Sequence, residues 1–461
     1  MLLEGTDFFF EFGRFCVTVP KLMKRRLMYG LVIAVLSVNF LVGAWIYLGS
    51  AHAAERGDAA VPSVELFSEV LQRVRTEYVD GQNLTYRDLT YAAIKGMARV
   101  LDPHSEFLDP TGYHDLQDDT EGQFGGLGLV VTVRSNYVTV VTPMEDTPGF
   151  RAGILAGDRI VKINGEDAVK MSLEDAVKRL RGKPGTRVTI TIHRPSSGLV
   201  RDFTLTRDVI QMKMVEDIKG KQEFPLGEDK IGYVCITQFG DKTGDELESG
   251  LRKLQAQGMQ GLILDLRWNP GGLLDEAVNV CQKFLPNGQL IVSTEGRDPT
   301  QNSVRRAAGR GDELKGMPIV VLVNLSSASA SEIVTGCLQD LHRAVILGER
   351  TFGKGSVQSI FELEDGSALK LTTAKYYTPS HRVIHEHGIT PDILVPVSDE
   401  EQVLLQIRRG PGGMASLSET NRVQLLKVQD EQLVRAKDLL KGILLYESLN
   451  GSLTPETTAA K

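Results

Sequence analysis

Serines at 326, 327, 329 and 331 crowd the stretch Val323-Asn324-Leu325-Ser326-Ser327-Ala328-Ser329-Ala330-Ser331-Glu332-Ile333, and a lysine follows in Thr351-Phe352-Gly353-Lys354-Gly355-Ser356-Val357-Gln358. Together they can supply a nucleophile and a base. Ile319 to Val323 is an apolar, β-branched run of strand length, and Ile333, Cys337 and Leu341 recur at helical spacing, so the serines lie at a strand-to-helix junction. A hydroxyl there sits at the carboxyl end of a strand and at a helix amino terminus whose free N–H groups favour developing negative charge. Serines at such junctions also serve as turn and N-cap residues.

A solvated lysine has a pKa near ~10.4 and acts as a base only when desolvated. Lys354, Ser356 and Gln358 alternate with Gly355 and Val357, which in a strand places the three polar side chains on one face. Gly353 and Gly355 admit a close-passing segment, and Gln358 can hold an amine through its amide oxygen without adding charge. A third segment, Gly261 to Gly272, reads as a strand running into the turn Asn269-Pro270-Gly271-Gly272, before a helical stretch from Leu274 to Leu285. The glycine amides of Gly271 and Gly272, with the amide of Ala330, can converge into an oxyanion hole if the two strands are neighbours.

In this order the three segments resemble the carboxyl-terminal processing peptidases, serine endopeptidases with a Ser-Lys dyad and an inserted PDZ domain. The resemblance runs from about Leu66 to Gly442. It implies Ser329 as nucleophile, Lys354 as base, Gln358 as its support, and Ala330 with Gly271 or Gly272 as oxyanion donors. The family often has Asn where Trp268 stands, and usually Gly-Gly at Leu325-Ser326 or Ser326-Ser327.

Gly125-Gly126-Leu127-Gly128-Leu129-Val130-Val131 reads as a glycine turn entering a strand, a shape whose amides can cradle an anion. In the PDZ mode a peptide adds as a strand along this edge and its terminal carboxylate meets Gly126, Leu127, Gly128 and Leu129. Further on come a strand closed by Asn164-Gly165, a helix over Leu173 to Leu180, and Pro184-Gly185 turning into the strand Val188 to Ile192.

The expected architecture is α/β multidomain: a layered α/β, crotonase- or ClpP-like peptidase body at 208–400, a PDZ domain at 119–207, a helical region at 62–118, a helical segment at 401–450, and a disordered tail at 451–461. Within the helical region, Asp102-Pro103-His104-Ser105 breaks the pattern, and Glu364-Asp365-Gly366-Ser367 turns a hairpin in the body. Leu27 to Leu48 is 22 residues without a charge, behind Lys21, Lys24, Arg25 and Arg26, long enough to span a bilayer with residues 1–26 in the cytoplasm. Ala51-His52-Ala53 also fits signal cleavage, so anchor and cleaved signal both stand, and Met23 would make an ordinary signal start. The expected location is the cell envelope, inner-membrane anchored or free in the periplasm.

A net charge of −7, from 52 basic and 59 acidic residues, offers no basic face for nucleic acid. The cysteines at 16, 235, 281 and 337 have no Cys-x-x-Cys spacing. His381, His385, Glu386 and His387 cluster, but they do not form a closed ligand set, and neither metal nor other cofactor is expected. The partners implied are protein substrates with free carboxyl-terminal tails, the membrane, and a second copy of the chain, with an activator or adaptor protein left open. A PDZ scaffold on an inactive body would have no use for Ser329, Lys354 and Gln358, and a crotonase-type thioester enzyme none for a PDZ domain.

Overall fold

The computed structural model describes residues 37–38, 60–309, 314, 316–409 and 428–451. The chain divides into two units, residues 1–93 and 94–461. In the first, helix α1 (Ala60–Glu77) buries none of its residues. Helix α2 (Tyr86–Leu101) spans the boundary between the units. Apart from Ser37 and Val38, the apolar stretch Leu27 to Leu48 lies outside the described residues, as does Gly410-Pro411-Gly412-Gly413. Among the described residues no helix is long and apolar enough to cross a membrane.

The second unit begins with β1 (Glu106–Leu108), α3 (Pro110–Glu121) and β2 (Gln123–Gly126). A small antiparallel sheet follows, in the order β3 (Leu129–Arg134), β4 (Tyr137–Pro143), β5 (Arg159–Ile163), β7 (Arg187–Arg194) and β8 (Leu199–Thr206), with β6 (Glu166–Asp167) beside β5. The turn between β5 and β6 is Asn164-Gly165, both at positive φ, which matches the twist of the paired strands. Helix α4 (Pro148–Arg151) precedes β5, and helix α5 (Leu173–Leu180) is capped by Ser172, whose hydroxyl accepts from the Asp175 amide. Alternate strand residues, among them Val138, Val140, Ile160, Ile190 and Ile192, pack with Ala176 and Leu180 of α5 into a separate core. β2 pairs antiparallel with β9 (Asp208–Gln211), so entry and exit of this module lie side by side.

A second, larger core belongs to a six-stranded sheet ordered β10 (Val215–Glu216), β11 (Ile231–Ile236), β12 (Gly261–Asp265), β15 (Ile319–Val323), β16 (Val345–Gly348) and β19 (Ile393–Leu394). From β11 onward the pairs are parallel. Val234, Leu262, Leu264, Val321 and Val323 point to a face covered by α6 (Thr243–Ala256), α7 (Leu274–Gln282) and α8 (Ala330–Asp340). The alternate residues Tyr233, Ile263, Val320 and Leu322 face α10 (Glu431–Gly451) through Ala436 and Leu440. Beyond α7 and α8 lies an antiparallel sheet of β1, β18 (Ala368–Tyr377), β13 (Leu290–Gly296) and β14 (Ser303–Arg306), with β17 (Ser356–Glu362) also on β18. Helix α9 (Asp399–Arg409) precedes α10. The body is thus layered α/β, with β12 and β15 adjacent and parallel.

Candidate active site

Parallel pairing of β12 with β15 brings their carboxyl-end turns together, and side chains weld the two turns. Ser327 Oγ donates to the Leu266 carbonyl at 2.8 Å, and Asn324 Oδ1 accepts from the Trp268 amide at 3.0 Å. The Asn269 carbonyl accepts from the Ala328 amide at 3.1 Å and from Ser331 Oγ at 3.0 Å. Ser327 and Ser331 are fully buried in these tasks. Turn duties therefore account for these two, Ser326 is exposed on the turn with its amide on Asn324 Oδ1 at 3.2 Å, and Ser329 stands at the head of α8.

Ser329 has φ 55° and ψ −114°, a left-handed setting that a side-chain-bearing residue rarely adopts. Its amide donates to Glu332 Oε2 at 2.9 Å. The same buried carboxylate accepts from Thr351 Oγ1 at 2.5 Å, from the Gly353 amide at 2.7 Å, and from the Lys354 amide at 2.8 Å. One anion thus fastens the serine turn to the lysine segment. Burial raises the Glu332 pKa, and these hydrogen bonds oppose the rise.

Lys354 sits in the loop before β17 and not in the strand, which starts at Ser356, and the β17–β18 register shifts between Val357 and Gln358. The expected single polar face is therefore broken. The glycines on either side do admit a crossing segment: a Cβ on Gly353 would meet the backbone of Glu386 to Gly388, and one on Gly355 would lie 2.3 Å from the His385 amide nitrogen. Burial lowers the Lys354 pKa, the Lys370 charge lowers it further, and Glu106, Asp102 and Glu332 pull the other way. Gln358 Nε2 donates to Ser356 Oγ at 2.9 Å and leans on Thr372 Oγ1 at 3.4 Å, so its amide is held within the β17–β18 pair and not by the lysine.

Gly271 packs on Ser329, since a Cβ there would fall 2.7 Å from Ser329 Cβ and 2.9 Å from the Ala330 nitrogen. Its amide is committed to Asn269 Oδ1 at 2.8 Å. The ladder to Phe239 uses the Gly271 carbonyl and the Leu273 amide, so the Gly272 amide takes no part in it.

Three residues around Ser329 and Lys354 carry no obvious sequence signal. Tyr376, fully buried, donates its hydroxyl to the Lys354 carbonyl and lies within reach of the Ser329 hydroxyl; burial pushes its pKa up. Asp102 accepts from the amides of His104 and Ser105 and from Ser105 Oγ, and Ser105 Oγ in turn accepts from the Thr372 amide at 3.1 Å. The segment that interrupts the helical pattern at Asp102-Pro103-His104-Ser105 is thus seated on β18 beside the lysine. His104 loses basicity through burial and then through the Lys354 charge. Glu332, by contrast, had a signal: Ser-x-x-Glu at a helix start is the capping-box pattern.

The histidines at 381, 385 and 387 do not converge. His381 stacks on Tyr377 and bonds Glu295 at 3.0 Å, and no group of metal-binding side chains forms among the described residues.

In the module built on β3 to β8, Gly126, Leu127, Gly128 and Leu129 line a groove with Phe124, Val131, Leu173, Val177, Leu180 and Arg181. Gly125 and Gly126 belong to β2, so the turn itself is only Leu127-Gly128. Gly128 has φ 67°, and a Cβ there would collide with Thr147.

Two family models match the chain: peptidase family S41 over residues 230–395 and a PDZ domain over 139–194. The carboxy-terminal-processing protease of Bartonella bacilliformis is 42% identical over 364 residues, 77% of this chain and 80% of that one. The chain belongs to the carboxyl-terminal processing proteases. The Synechocystis enzyme of that family is 34% identical over 449 residues, 92% of this chain and 97% of its own. A solved photosystem II D1 C-terminal processing protease is 33% identical and matches 76% of this chain and 97% of its own, at a TM-score of 0.42. A member of this family is a PDZ-containing serine peptidase that acts on proteins.

Proposed function

We propose that Ser329 and Lys354 are the nucleophile and the general base of a Ser-Lys endopeptidase. The observation that carries this reading is the Glu332 carboxylate, which holds the Ser329 and Lys354 amides on one oxygen at 2.9 and 2.8 Å. Burial and the Lys370 charge both lower the Lys354 pKa, the direction that a lysine base requires. Neutral Lys354 takes the Ser329 proton as the hydroxyl attacks the scissile carbonyl. The resulting ammonium gives its proton to the leaving amine, and water repeats the sequence to release the acyl-enzyme. The amides of Gly272 and Ala330 bind the oxyanion. Gly271, with its amide already engaged, shapes the turn. The family resemblance assigns Gln358 to support the Lys354 ammonium through its amide oxygen, a role that would require its side chain to leave Ser356 and Thr372.

Residues 119–207 form the PDZ domain inserted before the body at 208–400. Its apolar groove takes the last residues of an unstructured protein as an added strand, with the terminal carboxylate at the Leu127-Gly128 turn. Substrates are proteins of the cell envelope, and the apolar stretch from Leu27 to Leu48 carries the enzyme there. The exposed apolar side chains of α1, Val61, Val64, Leu66 and Phe67 among them, suit pairing with a second copy.

The deciding experiment is proteolysis of an unstructured protein ending in apolar residues, comparing parent with Ser329→Ala and Lys354→Ala. The parent should cleave and both variants should lose at least about 1,000-fold, the scale on which removing a nucleophile or its base acts. Activity retained in Lys354→Ala would end the Ser-Lys reading.

A further inference from the structure

Helices α9 and α10 lie outside the catalytic layers, yet they reach the strand that ends in the Pro-Gly-Gly turn. Arg267, fully buried, bonds Asp265 through Nε at 3.0 Å and Nη2 at 2.7 Å, Asp430 through Nη1 at 2.8 Å, and Gln432 through Nη1 at 2.9 Å. Arg409, the last residue of α9, reaches the same two carboxylates, Asp265 and, at 2.7 Å, Asp430. Tyr233 closes the set with a hydroxyl bond to Asp265 at 2.8 Å. Two arginines and two aspartates thus cancel in charge where water is excluded.

The next residue is Trp268. Both guanidinium groups lie over its ring at 5.2 Å from the centroid, and its backbone is held at φ 60° by the bond to Asn324 on the nucleophile turn. Trp268 leads directly into Asn269, whose side chain fixes the Gly271 amide and donates to the Ile236 carbonyl at 2.8 Å. The indole is thus a wedge between the buried charges and the turn.

We propose that Arg409 is a positioning residue of the peptidase: by clamping Trp268 it sets the Asn269-to-Gly272 turn and so the oxyanion donors. The carboxyl-terminal helices are then part of the catalytic machinery. The proposal rests on the peptidase reading of Ser329, Lys354 and the Pro-Gly-Gly turn.

The sequence has two tryptophans, so in the full chain carrying Trp45→Phe the emission reports Trp268. On that background Arg409→Gln and Arg409→Lys are compared with the parent in steady-state proteolysis, fluorescence and thermal unfolding. Losing a whole oxyanion donor lowers kcat by about 100- to 1,000-fold, so a turn that is shifted but present should lose about 10- to 100-fold. Arg409→Gln should show that fall in kcat with KM within about threefold of the parent, and its emission should move to longer wavelength. Arg409→Lys, which keeps charge but not the planar fork, should recover part of both.

A folded Arg409→Gln with parental kcat overturns the proposal. So does a loss carried by KM alone, or a loss of kcat with unchanged emission. If Arg409→Gln does not fold, Arg409→Lys is judged by the same two readouts, and parental values of both overturn it. Should the parent fail to cleave, the peptidase reading is at fault; the clamp is then read from emission, and an unshifted spectrum in the Arg409 variants refutes it.

Discussion

Replacing Glu332 by glutamine tests the most consequential contact in the site, because the change keeps the shape and removes the charge. The carboxylate takes bonds from Ser329 and Lys354 on one oxygen and from Thr351 and Gly353 on the other. An amide oxygen can keep one pair. Its NH2 group must then face the other pair, where the Thr351 hydroxyl can turn to accept but the Gly353 amide cannot. One stranded buried amide costs about 1–3 kcal/mol, and weakening two charge-assisted bonds to neutral ones costs about 1 kcal/mol each. The sum, roughly 3–5 kcal/mol, corresponds to a drop in melting temperature of about 6–20 °C for a body of this size. Activity should fall about tenfold or more, since the lysine segment loses part of its hold on the serine turn.

The pH profile separates this from loss of structure alone. The Glu332 charge raises the Lys354 pKa, so removing it should move the acid limb of kcat/KM to lower pH in whatever activity remains. A Thr351→Val partner completes a cycle, and because both act on one carboxylate oxygen their costs should be non-additive by about 0.5–3 kcal/mol. A Glu332→Gln protein with the parent's melting temperature and kcat/KM would refute the reasoning.

Lys370→Met removes a cation that lowers the Lys354 pKa and should shift the same acid limb to higher pH, whereas Asp102→Asn removes a carboxylate that raises it and should shift the limb lower; pH–rate profiles decide both. Val177→Glu, on the apolar groove, should raise KM severalfold for a substrate ending in apolar residues and leave kcat within about twofold, as steady-state kinetics with tailed and tail-less substrates would reveal. Lys354→Met should raise the melting temperature at neutral pH. The folded lysine has a depressed pKa and the unfolded one titrates near about 10.4, so the parent gains stability as pH rises between those two values. The advantage of Lys354→Met should therefore shrink in alkaline melts.

Much of this was legible from spacing. The helix over Leu173 to Leu180 and the strand over Ile319 to Val323 have the expected bounds, because their apolar periods coincide with packed faces. The hairpin at Glu364 to Ser367 follows from its turn chemistry. Lys354 was misplaced for a physical reason: alternation of Lys, Ser and Gln mimics a strand, but Glu332 captures the amides of Gly353 and Lys354, so the sheet ladder starts only at Ser356. Asp102 to Ser105 looks like a helix stop and no more, since its seat on Thr372 is a contact across 267 residues. Periodicity cannot report such a contact. The choice between Gly271 and Gly272 was equally closed to spacing, and it turns on where the Asn269 side chain points.

The site has to hold together charges that disfavour it. Lys354 must be neutral to accept a proton, yet three carboxylates, Glu106, Asp102 and Glu332, pull it toward the ammonium. Each of them is engaged elsewhere: Glu106 with Lys370 at 2.7 Å, Asp102 with two amides and the Ser105 hydroxyl, Glu332 with four donors. A carboxylate whose charge is spread over fixed donors orders its neighbours without forming an ion pair with the amine, and Lys354 has no ion pair among the described residues. Burial can then dominate the lysine's pKa even though anions surround it. The Glu332 carboxylate, which raises the Lys354 pKa, is also what joins the segments at 327–332 and 351–354, through the amides of Ser329, Gly353 and Lys354.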